Sequence, residues 1–139
     1  MNYLVLDAST ALGWMVDAPP PRISLRALHL LQSGTIGVVP DLWYYEVSNA
    51  LITAERRGRA SSQLVSSHVS DIERLAAFLE VSPTTPSALI AAARQSGLTA
   101  YDAAYFELAL RRNLPLATLD NRMRRAAQKA GIELLRCPP

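Results

Sequence analysis

Short apolar runs alternate along this chain with longer segments whose apolar residues recur at helical spacing. We predict strands at 3–6, 36–39, 114–118 and 132–135, and a further brief one at 79–82. One or two helical segments separate each run from the next. Strands connected in this way pair in parallel, and crossover helices cover both faces of a parallel sheet. The order of elements therefore predicts an α/β fold with a central parallel sheet.

Helix caps and breakers give the bounds of the predicted helices. Asp41 and Ser61 are favourable N-caps, Pro86 suits a first helical turn, and glycines follow several C-termini. The predicted helices cover residues 8–16, 22–33, 42–57, 62–79, 86–96, 99–112 and 120–130. Because the 139 residues contain no repeat, linker or shift in composition, we expect one domain over residues 1–139.

Composition excludes several classes of protein. Half of the residues are hydrophobic and 19% are charged, which is far from the composition of a disordered chain. Cys137 is the single cysteine and there are two histidines, so neither an intrachain disulfide nor a Cys-rich zinc site is available. No apolar run approaches the ~20 residues of a membrane span, and no leader is evident, so we expect a cytoplasmic protein without membrane association.

Four of the twelve acidic residues fall where predicted strands end, or within the first turns of the helices that follow. They are Asp7, Glu46, Asp102 and Asp120. In an open parallel sheet, ligands bind beyond the carboxyl ends of the strands. We therefore expect these four side chains to meet at one edge of the sheet.

Four carboxylates at one edge repel each other and need positive charge nearby. The only lysine, Lys129, lies within the last predicted helix and is not close to any of them in sequence. A hard divalent cation meets this need, since Mg²⁺ prefers carboxylate oxygens and retains water and substrate phosphate as further ligands. The group therefore predicts a site for metal-assisted hydrolysis of a phosphodiester.

Each acid also has a simpler interpretation as part of a helix cap. Asp7 and Asp120 stand at N-cap positions, and Thr99 with Asp102 fits a capping box. Glu46 resists this interpretation because it lies too deep in its helix and flanks an apolar stripe, where an acid needs a partner. The four acids together favour a shared site over separate caps.

Four segments of the chain carry a family resemblance. They are Val5-Leu6-Asp7-Ala8-Ser9, Trp43-Tyr44-Tyr45-Glu46-Val47-Ser48-Asn49-Ala50-Leu51, Leu98-Thr99-Ala100-Tyr101-Asp102-Ala103-Ala104-Tyr105 and Leu116-Ala117-Thr118-Leu119-Asp120. Together, in this order and over nearly the whole chain, they resemble the PIN-domain ribonucleases, and among these the VapC-type toxins of toxin–antitoxin pairs. The resemblance implies a PIN-like three-layer α/β/α sandwich.

The resemblance also implies a set of site residues. An acidic quartet that binds one or two Mg²⁺ or Mn²⁺ ions is matched by Asp7, Glu46, Asp102 and Asp120. Ser9 and Thr118 match hydroxyl positions that orient the acids, and Asn49, one turn after Glu46, is placed to support them. Asn121 stands where some members carry a further acid, which leaves the number of ions open.

Activity and partners follow from the same resemblance. The family cleaves single-stranded RNA or loops in structured RNA, leaving a 5′-phosphate, and its toxins are usually homodimers held inactive by an antitoxin protein. For the mechanism we expect Asp7 as the central metal ligand, with Asp102 and Asp120 beside it. Glu46 would hold a water molecule or act as a general base.

Basic and aromatic residues near these segments have two interpretations. Arg122, close to Asp120, is as consistent with an RNA contact as with a solvated helix face. A solvated helix face is the preferred interpretation for four other arginines, Arg111, Arg112, Arg124 and Arg125, since arginine near a helix C-terminus also complements the helix dipole. For Trp14 and the aromatic run 43–45 we expect packing rather than base stacking.

Two alternatives to a toxin stay open. A PIN nuclease that processes RNA would carry the same acids, and a catalytically silent PIN binding module would be expected to have lost some of them. A haloacid-type phosphatase would need a second acid where Ser9 stands. Glycine-rich nucleotide-binding loops are absent from the sequence.

Overall fold

The computed structural model describes residues 2–138, which form one four-stranded sheet flanked by seven α-helices. The strands are β1 (Tyr3–Leu6), β2 (Ile36–Val39), β3 (Leu79–Val81) and β4 (Leu116–Ala117). The helices are α1 (Ala8–Val16), α2 (Arg22–Gln32), α3 (Leu42–Arg56), α4 (Ser62–Leu75), α5 (Pro86–Ser96), α6 (Ala100–Arg112) and α7 (Asn121–Lys129). All strands pair in parallel in the order β3-β2-β1-β4, so the predicted α/β sandwich with a central parallel sheet is confirmed.

The central strand β1 is buried on both faces of the sheet. Successive strand residues point to opposite faces, yet Leu4, Val5 and Leu6 are each at most 2% exposed. Helices therefore cover both sides of the sheet here, as the uninterrupted apolar sequence predicts. In the pairing of β1 with β4, Leu6 lies opposite Ala117, so the chain leaves the two strands side by side at their carboxyl ends.

Helix α6 is buried almost all round its middle. Seven consecutive residues, 103–109, are buried, and they include the large side chains of Tyr105 and Phe106. A helix enclosed in this way belongs to the core rather than to one surface layer. With 13 residues it is short, and within residues 2–138 no helix is both long and apolar enough to cross a lipid bilayer.

The predicted end of the fourth helix was wrong. The helix predicted to reach residue 79 ends at Leu75, and a single 3₁₀ turn, Ala76–Phe78, leads into β3. Leu79 instead pairs with Gly37 of β2, where the missing side chain makes room: a Cβ on Gly37 would lie 2.7 Å from a methyl group of Leu79. Pairing with β2 therefore takes precedence over the helical periodicity of this segment.

The strand predicted at 132–135 is reduced to one parallel bridge between Leu116 and Leu134. The amide of Leu116 donates to the carbonyl of Glu133, and the amide of Leu135 donates to the carbonyl of Leu116, each at 2.9 Å. β4 itself covers only two of the five residues predicted, and Pro115 before it has no N–H to extend the ladder. The short β4 thus offers too few partners for a full fifth strand.

Candidate active site

The carboxyl ends of β1 and β4 bring together several of the predicted site residues. Asp7 directly follows β1, and its amide donates to the carbonyl of Ala117 at 3.0 Å. Thr118 and Asp120 follow β4, while Ser9 lies in the first turn of α1. The parallel pairing of these two central strands thus places residues more than a hundred positions apart at one edge of the sheet.

Two hydroxyl groups anchor one oxygen of Asp7. Its Oδ2 accepts hydrogen bonds from Thr118 Oγ1 at 2.6 Å and from Ser9 Oγ at 2.7 Å. Each hydroxyl in turn accepts a backbone N–H: that of Asp120 reaches Thr118 at 3.0 Å, and that of Leu119 reaches Ser9 at 3.1 Å. The side chain of Asp7 is only 5% exposed and has no ion-pair partner among residues 2–138.

The helix-cap interpretation is wrong for Asp7 and correct for Asp120. Asp7 occupies the N-cap position of α1, but its side chain makes no capping hydrogen bond. Asp120 caps α7 through Oδ1, which accepts the amides of Arg122 at 2.8 Å and Met123 at 3.1 Å. Thr99 caps α6 by accepting the amide of Asp102 at 3.2 Å. Burial of Asp7 therefore needs another explanation than capping.

Glu46 is held by a tyrosine from a different helix. The buried hydroxyl of Tyr105 in α6 donates to Oε1 of Glu46 in α3 at 2.5 Å. Burial, followed by the hydrogen bond to Glu46 as the second cause, raises the pKa of Tyr105 far above its usual range. The hydroxyl therefore keeps its proton and acts as a hydrogen-bond donor. This is the partner that an acid beside an apolar stripe was expected to need.

Burial and mutual repulsion raise the pKa values of three of the acids. For Asp7 and Glu46 burial is the largest cause, and the charge of Asp102 adds to it. The pKa of Asp102 is raised by burial first and by the charge of Asp120 second, whereas Arg122 acts in the opposite direction. Charge repulsion therefore links Asp7, Glu46 and Asp102 with one another, and links Asp120 with Asp102.

Arg122 is the basic residue placed beside the acids. Its side chain is exposed, and Nη2 donates to the carbonyl of Gly97 at 3.5 Å. The other arginines considered from the sequence have structural contacts: Arg111 pairs with Glu107, Arg112 pairs with Glu80, and Arg124 donates to the carbonyl of Thr118 at 3.2 Å. Arg125 is exposed. Of the four arginines for which a solvated helix face was preferred, Arg125 alone is described only by its exposure, whereas Arg111, Arg112 and Arg124 contact other parts of the fold.

One predicted residue lies apart from the network and one participant was missed. Asn49 is exposed and makes no side-chain hydrogen bond with residues 2–138, so the expected support of the acids by Asn49 stays a prediction. Tyr105 was not predicted as a site residue. A signal was available, since Tyr105 follows Asp102 by three positions and so shares its helix face.

The comparison with protein families decides the identity of the fold. A family described as the PIN domain matches residues 4–129 of this chain. The chain belongs to the PIN-domain family. Members of this family are generally nucleases, and they usually depend on divalent metal ions.

A solved structure has the same PIN-like fold. The crystal structure of PAE2754 from Pyrobaculum aerophilum superimposes with a TM-score of 0.68, over 91% of this chain and 79% of that one. The two sequences are 22% identical, so the likeness concerns the fold alone. No curated protein sequence gives a significant match to this PIN domain.

The acidic edge of this PIN domain suits a hydrated divalent cation. In three of the acids, the hydrogen bonds are accepted by a single carboxylate oxygen: Oδ2 of Asp7, Oε1 of Glu46 and Oδ1 of Asp120. Within residues 2–138, no three His, Cys, Asp or Glu side chains lie close enough together to ligate one ion directly. Mg²⁺ usually keeps several waters and binds one or two carboxylates, which this spacing permits. Direct ligation by Asp7, Asp102 and Asp120 together stays a prediction.

Proposed function

We propose that this protein is a Mg²⁺-dependent endoribonuclease and the toxin of a toxin–antitoxin pair. Mn²⁺ would serve as an alternative ion. The substrate would be cellular RNA in the cytoplasm, the active form a homodimer, and the inhibitor a cognate antitoxin protein.

The observation that carries the nuclease proposal is the environment of Asp7. This carboxylate is almost fully buried, caps no helix and receives only neutral donors, while Asp102 and Glu46 lie close enough to repel it. Burial without a cation disfavours the charged form of a carboxylate, so the position of Asp7 costs stability. Proteins retain such costs chiefly at functional sites. Divalent metal ions supply the missing charge.

The four acids divide into two roles in the proposed hydrolysis. Asp7, Asp102 and Asp120 would hold the hydrated ion, directly or through its water molecules, with Ser9 and Thr118 fixing the orientation of Asp7. When bound, the ion lowers the pKa of water and screens the charge of the phosphodiester. Glu46 would help to hold the hydrated ion and, through Oε2, would orient the attacking water or accept its proton. The water oxygen bonds to phosphorus, the bond to the 3′ oxygen breaks, and the products carry a 5′-phosphate and a 3′-hydroxyl.

Exposed apolar side chains on α4 support the proposed protein partners. Only Leu75 of this helix is buried, while Leu64 and Val69 are 47% and 41% exposed. A groove of about 440 Å³ runs between α3 and α4 and is lined mainly by apolar residues, among them Leu51 and Ile72. Contiguous apolar surface of this kind is typical of sites that bind another protein. An antitoxin segment and a second copy of the chain are the two partners we propose.

Cleavage of total cellular RNA by the purified chain tests the nuclease proposal. We expect discrete cuts with Mg²⁺ or Mn²⁺, none with EDTA, and none from Asp7→Asn with either ion. Asp17→Asn is the control, because it removes the same charge from an exposed position outside the site. Full cleavage by Asp7→Asn would disprove the assigned role of that residue.

The partner proposals need their own measurements. Sedimentation of the purified chain reports whether it forms a dimer, and co-expression with a small adjacent upstream gene reports whether that product binds and inhibits it. A nuclease that is monomeric and has no such neighbour would instead be a PIN nuclease of RNA processing. A folded chain that neither binds metal nor cuts RNA would be a PIN binding module.

A further inference from the structure

Tyr105 combines deep burial with one specific polar contact. Its side chain has 0% exposure, and its hydroxyl donates to Oε1 of Glu46, which lies 59 residues earlier in the chain. A carboxylate can only accept hydrogen bonds, so the hydroxyl is the donor. Because close packing fixes the ring, the hydroxyl is presented from one position.

The hydroxyl links two of the acids through one helix. Asp102 lies in the first turn of α6, and Tyr105 follows it on the same face. α6 therefore carries one acid directly and holds a second, Glu46 of α3, through the tyrosine. Glu46 is only half-buried, so without this contact its long side chain would keep several rotamers.

The contact also completes a pattern shared by three of the acids. Asp7 is fixed through Oδ2 by two hydroxyls, Asp120 through Oδ1 by two backbone amides, and Glu46 through Oε1 by a tyrosine. In each case the donors leave the second oxygen for another ligand. Tyr105 does for Glu46 what Ser9 and Thr118 do for Asp7.

We propose that Tyr105 is a positioning residue of the metal-dependent nuclease site, which holds the Glu46 carboxylate in one orientation relative to Asp7 and Asp102. The proposal rests on the proposed function, since it gives Glu46 its task at the ion. The ring of Tyr105 packs the core in addition, and Tyr105→Phe separates the two roles because it keeps the ring and removes the hydroxyl.

Mn²⁺ binding by the full chain, without RNA, tests this role. The signal of free Mn²⁺ in electron paramagnetic resonance gives the dissociation constant directly. Removing a group that orients a ligand typically costs 10–100-fold in metal affinity, and we expect about tenfold for Tyr105→Phe. Tyr3→Phe, which removes a tyrosine hydroxyl at the opposite end of β1, should bind Mn²⁺ as the parent does.

A double-mutant cycle with Glu46→Ala separates positioning from a general effect on the core. If Tyr105 acts through Glu46, Tyr105→Phe changes the Mn²⁺ affinity of the parent but not that of Glu46→Ala. An equal loss in both backgrounds, or no loss in the parent, would overturn the proposal. Thermal unfolding of each variant reports whether the fold is retained.

Failure of the proposed function gives a different result. If the parent chain binds no Mn²⁺, or if Asp7→Asn binds it as the parent does, both the proposed metal site and this role of Tyr105 are disproved. If the parent binds Mn²⁺ through Asp7 and the Mn²⁺ affinity of Tyr105→Phe equals that of the parent, only the role of Tyr105 is disproved.

Discussion

Asp7 and Glu107 are almost equally buried, at 5% and 7% exposure, yet their surroundings differ. Glu107 pairs with Arg111 one turn later in α6, at 2.7 Å between Oε1 and Nε, and the same guanidinium donates to the carbonyl of Pro83. Asp7 receives two hydroxyls and faces other acids. The chain can therefore provide a cation for a buried acid, and for Asp7 it does not.

This difference distinguishes Glu107, an acid that stabilises the fold, from Asp7 and the other acids of the candidate site, which we expect to bind a ligand. A buried charge is tolerated when it is paired, and its unpaired burial costs stability. Such costs concentrate at functional sites, where the strain is retained for activity. Removing the charge should thus have opposite effects on stability at the two positions.

The largest expected effect is the loss of stabilisation by metal ions in Asp7→Asn. Mn²⁺ at about 100 times its dissociation constant should stabilise the parent by ~2.7 kcal/mol, or roughly 5–10 °C in the midpoint of thermal unfolding. Asp7→Asn should show no such shift. In EDTA the variant should unfold a few degrees above the parent, because an uncompensated buried charge has gone. Calorimetry with and without Mn²⁺ measures both quantities, and a variant less stable than the parent in EDTA contradicts the comparison.

The second effect concerns the paired acid. Arg111→Ala leaves Glu107 buried without its cation, and breaking a fully buried pair costs ~3–5 kcal/mol. Because the Arg111 side chain is 40% exposed, we expect a smaller loss, about 1–3 kcal/mol, by urea unfolding. Arg112→Ala, which breaks the more exposed pair with Glu80, should cost less. Mn²⁺ affinity should stay unchanged in both variants, and a large loss in Arg111→Ala would mean that the two regions are coupled.

Much of this contrast could be predicted from local sequence. The short apolar runs predicted β1 and β2 to the residue, and the carboxyl ends of parallel strands predicted where Asp7 and Asp120 would meet. The spacing of Glu107 and Arg111 is that of a pair on one helix face. The contact of Tyr105 with Glu46 depends on how α3 and α6 cross, which no local pattern contains. The reduced strand at 132–135 depends in the same way on the length of its partner.

A third, smaller effect is a dependence of stability on pH. The pKa values of Asp7, Glu46 and Asp102 are raised in the folded protein, so the folded chain holds more protons than the unfolded chain above the ordinary pKa values of 3.8 for Asp and 4.5 for Glu. Stability in EDTA should therefore fall as the pH rises from that range through the folded pKa values. The stability advantage of Asp7→Asn over the parent should grow over the same interval. Unfolding midpoints in EDTA between pH 4.5 and pH 7.5 measure it, and an advantage independent of pH would contradict the assignment to Asp7.

The smallest effect concerns the one arginine beside the acids. Arg122 partly compensates the charge of Asp102, and its guanidinium is exposed, so it can also meet a phosphate group. Each phosphate contact to a single strand contributes about 0.7 to the slope of log affinity against log salt. In an Asp7→Asn background, which binds without cutting, Arg122→Ala should weaken binding of a labelled single-stranded RNA a few-fold and lower this slope by that amount. Arg125→Ala removes an exposed arginine from the same helix and should change neither quantity. An unchanged slope in Arg122→Ala would assign Arg122 to the electrostatics of the acids alone, and the RNA path would then have to be sought on another face of the site.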